Sequence, residues 1–272
     1  MKAPHEQRPV VQRIRVKYAK RGRLRFTSHR DFSRALERAV RRSKIPIAYS
    51  SGFTPHPRIS YAGASPTGVA SEAEYLEMAL QDRVDLGDVM ARLDDALPIG
   101  LDVIEIVEAT TSDFANTLEA SEWSFAISGP EGLVLQLPSA IATFLASEEV
   151  MVERMTKNGL RRFDVRSAVL SAVLTLEQGL EPVLEQGLEQ GLESVPATLE
   201  EGNLASMGDQ GRRSAILEAV IRHGSPSVRP DDLLAALRIE GLASRAIVTR
   251  LAQGPFDERA GAVTDPFGPD RK

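Results

Sequence analysis

From Gln12 to Tyr18 the chain alternates: Ile14, Val16 and Tyr18 stand against Arg13, Arg15 and Lys17, the two-residue period of a half-buried strand. A turn at Arg21–Gly22–Arg23 follows. Ser28, with Asp31 three residues on, then marks a helix start: the serine oxygen can accept an orphan N–H, and an acid suits the positive end of the dipole. Phe32, Ala35, Leu36, Ala39 and Val40 recur at helical spacing, so the helix runs to about Ser43 behind one apolar stripe. Lys44–Ile45–Pro46 closes it, since the residue before a proline resists helical geometry. Ile47–Tyr49 reads as a short strand, Gly52–Arg58 as a rigid loop, and Ile59–Ala62 as a strand. Ala73–Leu80 is the next strand. Leu86–Leu97 is a helix with Leu86, Val89, Met90, Leu93 and Leu97 on one side, and Leu101–Val107 is a last strand.

That order, β-α-β-β-α-β, is the split βαβ of ferredoxin-like domains. It recurs less cleanly. Trp123–Ile127 is a strand and Pro138–Leu145 a helix, and Val150–Met155 and Leu160–Val165 flank the hairpin signal Asn158–Gly159. Arg213–Arg222 is a strand with helix as its rival, Arg229–Leu237 a helix opened by a proline, and Ala246–Leu251 a strand. The predicted class is therefore α+β: two tandem ferredoxin-like units with antiparallel sheets, a basic one over 11–110 and a second over 119–254. A low-complexity acidic insert over 175–211 interrupts the second. Within it Leu176–Val195 is five tetrapeptides, LEQG, LEPV, LEQG, LEQG and LESV. Repeated glycine and Pro182 oppose a helix there, so the insert reads as a flexible loop grown by repeat slippage, or else as an acidic interaction tail. The Pro, Gly and Asp content of 255–272 predicts a disordered end.

Charge sharpens the picture. The whole chain carries −5, yet Val11–Ala48 holds thirteen Lys or Arg against two acids, a net +11 that leaves the remainder at −16. Segregation of this kind fits a polyanion partner, or else a solvated cationic face. On the predicted helix Arg30, Arg34, Arg38 and Arg41 are spaced to stack along one face, opposite the apolar stripe. Like charges on neighbouring turns repel by a few tenths of a kcal/mol per pair. A phosphate ligand would relieve that, and arginine can grip it with two N–H groups. Arg23, Arg25 and Arg58 extend the candidate nucleic-acid-binding set, with Arg13, Arg15 and Lys17 added from the strand.

Two histidines are candidates for catalysis, His29 at the helix start and His56 between Pro55 and Pro57. An imidazole beside phosphate-binding arginines can move a proton in RNA cleavage. The bland alternative is a surface or packing histidine. Absences narrow the field further. The chain has no cysteine, which removes disulfides, zinc–thiolate sites and cysteine-ligated iron–sulfur clusters. No HExxH, phosphate-loop, dinucleotide or serine-hydrolase motif occurs, and no metal site is expected. At 5% aromatic content, no strand shows the paired rings on which an RNA-recognition sheet stacks bases. No apolar run reaches the roughly 18 residues that span a bilayer, and the opening MKAPHEQRPV lacks a signal-peptide core, so the expectation is a cytoplasmic protein away from membranes.

The stretch FTSHRDFSRALERAVRRSKIPIAYSSGFTPHPRISYA resembles the radical-SAM-associated uncharacterised family called domain of unknown function 2344. That family's pattern runs S-H-x-D, an arginine-bearing helix, then IP-x-x-Y-S-x-GF-x-PHP-[RK]-[IL]-S. Ser28, His29, Asp31, Arg34, Arg38, Pro46, Tyr49, Ser50, Gly52, Phe53, Pro55, His56, Pro57, Arg58 and Ser60 match it, and Glu74–Tyr75 fits its following strand. The likeness covers 12–108 and continues more weakly through Asp164–Val165–Arg166 and Val228–Arg229–Pro230–Asp231–Asp232. It implies a partner protein that holds an iron–sulfur cluster and S-adenosylmethionine; this chain itself is expected to carry no cofactor. Residue roles do not transfer, because the family has no assigned activity.

Three functions compete. The first is an RNA-binding accessory protein that presents structured RNA to a radical-SAM enzyme. The second is a metal-independent endoribonuclease using His29 or His56. The third is a scaffold that docks the radical-SAM partner. An accessory role rather than a free-standing enzyme is the leading expectation.

Overall fold

Gln12–Lys20 forms β1, as its alternation requires, and His29–Arg42 forms α1. Ser28 caps α1 by accepting the Asp31 N–H at 3.2 Å and donating its own hydroxyl to the Asp31 carboxylate at 2.7 Å. Lys44, at φ 52°, turns the chain out of the helix ahead of Pro46. The computed structural model describes residues 8–156, 159–177 and 212–271. Its remaining elements in the first half are β2 (Ile59–Ala62), β3 (Ala70–Leu80), α2 (Leu86–Ala96) and β4 (Val103–Glu108). Ile47 and Tyr49, expected in a strand, make only isolated bridges to Leu80 and Pro57. Pro46, immediately before them, and Pro57, the partner of Tyr49, have no N–H with which to extend a ladder.

In the second half come β5 (Ala120–Pro130), α3 (Glu131–Val134), α4 (Leu137–Ala146), β6 (Met151–Thr156), β7 (Gly159–Asp164), β8 (Val169–Glu177), β9 (Arg212–Arg222), α5 (Pro230–Ala236) and β10 (Ala246–Gly254). The chain is a mixed α/β structure with few helices and one mostly antiparallel eight-stranded sheet. Its order is β4-β1-β3-β10-β5-β9-β8, with β2 paired to β3. The exception to antiparallel pairing is the seam between the halves, where β10 runs parallel to β3 through Thr249↔Ala70 and Arg250↔Ser71.

Two sequence expectations change here. The hairpin at Gly159 does form, pairing Met151–Thr156 with Gly159–Asp164, but as a separate two-stranded sheet. The edge of the main sheet is β8 instead, a strand that went unpredicted. Its residues Val169–Leu174 are apolar with one serine, a run whose period is ambiguous. Because β8 reaches Glu177, the insert begins later than 175, and residues 178–211 lie outside the described residues.

The helices α1 and α2 pack on one face of the first half. Phe32 stacks on Tyr18 at 4.6 Å, and Leu36, Ala39 and Val40 sink among Ile14, Val16, Leu76 and Met78. A second core in the other half gathers Trp123, Phe125, Ile127, Leu217 and Leu233. Residues 255–271, expected to be disordered, instead cross the opposite face of the first half. There Phe267 is fully buried against Tyr75 and Phe114. The composition of this segment hides that anchor, because a few residues, Phe267, Asp270 and Arg271, do the holding. Arg15, expected on a cationic outer face, is accordingly only 1% exposed and pairs with Asp270. Its guanidinium also donates to Thr111 Oγ1 at 2.8 Å and lies 4.6 Å from the Phe114 ring.

Burial pushes the Asp270 carboxyl up, but hydrogen bonds from Thr110 and the Arg15 charge outweigh it and hold its pKa below the ordinary value. Its stabilisation is thus present above the unfolded pKa of about 3.9 and fades as pH falls through the lower folded value. Asp270→Ala takes one of two carboxylates from the buried Arg15, which keeps Glu77 at 3.3 Å, so it should lower unfolding free energy by about 1–3 kcal/mol. Urea unfolding at neutral pH checks this, and an unchanged midpoint would show that the tail does not hold Arg15.

Candidate nucleic-acid interface

The apolar stripe of α1 fixes its outer side. Arg30, Arg34 and Arg38 are exposed and make no ion pair among the described residues, while Arg41 reaches Glu37 at a long 3.8 Å. Successive guanidinia climb about 6 Å per step, four residues at 1.5 Å each. Lys17 also lacks an ion pair among the described residues, whereas Arg13 pairs with Glu77 at 3.1 Å, and Arg21 engages both Glu72 and Asp102. The strand cations therefore contribute less than the alternation suggested. Of that set Arg15 is internal, for the reason given above.

Around α1 the other candidates take separate places. Arg23 is exposed in a 3₁₀ turn, and Arg25, half-buried, lays its guanidinium 4.7 Å from the Phe26 ring. His29 meets Tyr61 edge-on at 4.8 Å. His56 lies in a loop closed by Ser50, whose N–H donates to the His56 carbonyl at 2.9 Å and whose hydroxyl accepts the His56 N–H at 3.0 Å. This loop carries Phe53, 77% exposed, and ends at Arg58, whose backbone bridges Ala48 and Ala79. The contacts of the two histidines do not overlap: one belongs to the N-terminus of α1, the other to the loop before β2.

Sequence reasoning missed a second constellation, at the seam. Arg250, 3% exposed, pairs with Glu74, donates to Gln253 Oε1 at 3.1 Å and to Ser71 Oγ at 3.4 Å, and lies 5.3 Å from the Trp123 ring. Burial drives the Glu74 pKa up, but Arg250 and the bonds from Ser71 and Ser65 more than offset it, leaving a carboxylate below its ordinary range. Lys20, also buried, has its pKa lowered by that burial and donates to the Pro66 carbonyl at 3.2 Å. A signal was available: Glu74 shares the register of Leu76 and Met78, and Arg250 that of Val248, both apolar core positions.

Above this network opens a cleft of about 720 Å³. One wall is the turn from Gly63 to Thr67; the other is the segment from Ser227 to Asp231; Trp123 and Arg250 reach its floor. His223 borders it. Its Nδ1–H donates to the Leu118 carbonyl at 2.6 Å, so Nε2 accepts from the Ser121 hydroxyl at 2.7 Å. Burial lowers its pKa, with the Leu118 carbonyl opposing and Arg250 assisting.

Residues 13–230 match the model of a family described as an uncharacterized protein conserved in bacteria, DUF2344. The chain belongs to that family. The matched span includes α1, the loop with His56, and both cleft walls as far as Pro230. No curated protein matches the chain. Among the described residues, no helix is long and apolar enough to cross a membrane.

The variant Arg30→Gln/Arg34→Gln/Arg38→Gln removes charges that nothing in the described structure uses. It should stay within about 0.5 kcal/mol of the parent in thermal unfolding, whereas a larger loss would reveal partners for these groups. A second expectation concerns His223. Its unfolded imidazole titrates near 6.5 and the folded one lower, so acid protonates the unfolded chain first. Stability from this residue is full above about pH 6.5 and declines below it. A His223→Gln variant should flatten that stretch of the pH–stability curve.

Proposed function

We propose that this protein binds RNA through the outer face of α1 and acts as an accessory factor to a radical-SAM enzyme that modifies or processes that RNA. One observation carries the reading: Arg30, Arg34 and Arg38 stand in a row at the surface with no carboxylate to neutralise them among the described residues. Guanidinia about 6 Å apart suit successive phosphates on one strand, each held by paired N–H donors. Arg23 and Arg25 on the turn before α1, and Arg58 in the loop before β2, add cations to the proposed interface. Recognition on this footing rests on phosphates and shape rather than on base edges.

The strand orders β4-β1-β3-β2 and β10-β5-β9-β8 repeat one topology, which supports reading the chain as two ferredoxin-like units on a shared sheet. The radical-SAM partner rests on the family resemblance. On this reading the iron–sulfur cluster and S-adenosylmethionine belong to that partner, in the cytoplasm, and this chain supplies grip and position.

RNA affinity measured between 50 and 200 mM salt should fall steeply. Substituting Arg30, Arg34 and Arg38 with glutamine removes three phosphate contacts, so the log–log salt slope should shrink by about 2–3. Affinity that ignores salt, or a slope the triple variant leaves alone, defeats the proposal. Metal-free cleavage of the bound RNA that disappears in His29→Ala would turn the reading toward an endoribonuclease. Co-purification of a protein that survives nuclease treatment would turn it toward a docking scaffold.

A further inference from the structure

We infer that the cleft at the seam of the two halves is a nucleotide-binding site, built to take one ribonucleotide of the strand that α1 holds. The assignment to RNA rests on the function proposed above; the assignment to a nucleotide rests on the cleft. At about 720 Å³ the cleft is within the usual range for small-molecule sites, and it lies between two structural halves, a common place for them.

Three kinds of group converge there. Arg229 is exposed on one wall, and its guanidinium has no ion pair among the described residues. Its backbone N–H, by contrast, is committed to Asp232 at 2.7 Å. Two residues on, Asp231 also borders the cleft, is exposed, and lacks an ion pair among the described residues. A guanidinium for a phosphate and a carboxylate to accept from ribose hydroxyls is the polar demand of a nucleotide. Pro66 and Val228, both partly exposed, offer apolar surface for a base. The buried Arg250 and Glu74 neutralise each other beneath them. Discrimination then falls to the wall residues.

The facing wall is made from small residues and shaped by its support. Gly63 has φ +59°, and a Cβ there would come within 2.3 Å of Gln253 Oε1. Gln253 in turn donates to the Gly63 carbonyl at 3.3 Å and to the Ala73 carbonyl at 2.6 Å. The turn is thereby pinned to the seam network rather than left to close over the cleft.

Continuity with α1 follows from the chain path. His29 and Phe32 on α1 both touch Tyr61 on β2, and Gly63 lies two residues beyond Tyr61, about 7 Å along an extended chain. The far end of the turn is tied to the segment before α1, where the Gly68 N–H donates to the Arg25 carbonyl at 2.8 Å. A strand laid along Arg38, Arg34 and Arg30 thus arrives at the rim of the cleft from the N-terminal end of the helix.

The test pairs two ligands with two kinds of variant in the full chain. The ligands are the four ribonucleoside 5′-monophosphates, titrated by calorimetry, and a single-stranded RNA carrying 4-thiouridine, cross-linked and mapped by mass spectrometry. The cleft variants are Arg229→Gln and, to fill the space, Thr67→Trp; Asp231→Asn supplies a milder third should either fail to fold. We expect at least one monophosphate to bind the parent and to weaken by about tenfold or more in Arg229→Gln. RNA cross-links should fall on peptides holding 63–67 and 227–231. Absence of both monophosphate binding and cleft cross-links overturns the inference. If RNA binds but cross-links only to α1, the cleft is dismissed and the RNA-binding function stands. If a monophosphate binds in the cleft while RNA does not bind at all, the reverse holds.

Discussion

The buried ion pair between Arg250 and Glu74 is the constraint on which the rest of the structure turns. Two sub-sheets meet at a parallel ladder of just two residue pairs, too few backbone bonds to fix their relation by themselves. Across that seam the guanidinium reaches Glu74 and Ser71; on its own strand it holds Gln253, which makes a second crossing to Gly63 and Ala73. A buried pair of this sort contributes little net stability over an apolar replacement, since desolvation consumes most of the Coulombic gain. Its effect is positional: a half displaced along the seam would strand a charge in the interior, at several kcal/mol. The sheet is continuous because one arrangement satisfies these groups.

Much of this was legible in the order of residues along the chain, and the failures have physical reasons. Alternation gave β1 and β3 even though the C-terminal segment covers their second face as well, and helical spacing with a serine cap gave α1, which buries one face and exposes the other. The β8 strand escaped because an edge strand with both faces partly covered shows no clean period. The C-terminal segment escaped for a different reason: Phe267 and Asp270 are two residues in a stretch whose composition otherwise resembles a loose end. Charge in the sequence also overstated charge at the surface. Glu74 and Arg250 could have been noticed, since each occupies a core register.

Seen through that correction, the net +11 of the basic segment divides into two populations. Arg15 and Lys20 are interior, and Arg13 and Arg21 are held by carboxylates. Arg42 donates to the Ala96 carbonyl, and Arg92 on α2 donates to the Ser43 carbonyl at 2.8 Å. These groups spend their charge on docking strands and helices to one another. What remains without such partners is concentrated on α1 and the turn before it. The available footprint is a strip one helix wide.

A strip has consequences that a broad basic face would not. The guanidinia along α1 share one line, so they can follow one backbone but cannot straddle a groove and reach phosphates on both of its sides. Shape recognition of a regular duplex, which spreads contacts across successive grooves, would need cations on a second parallel line. The opposite side of this half of the sheet cannot supply them, because the C-terminal segment covers it with Phe267 and consumes Arg15. The same covering leaves the helical face as the side where the halves can share a ligand, and there the cleft opens beside the turn that follows β2. On the function proposed above, this distribution of charge suits a single strand or an unpaired stretch within folded RNA, with phosphates along the helix and one nucleotide at the seam.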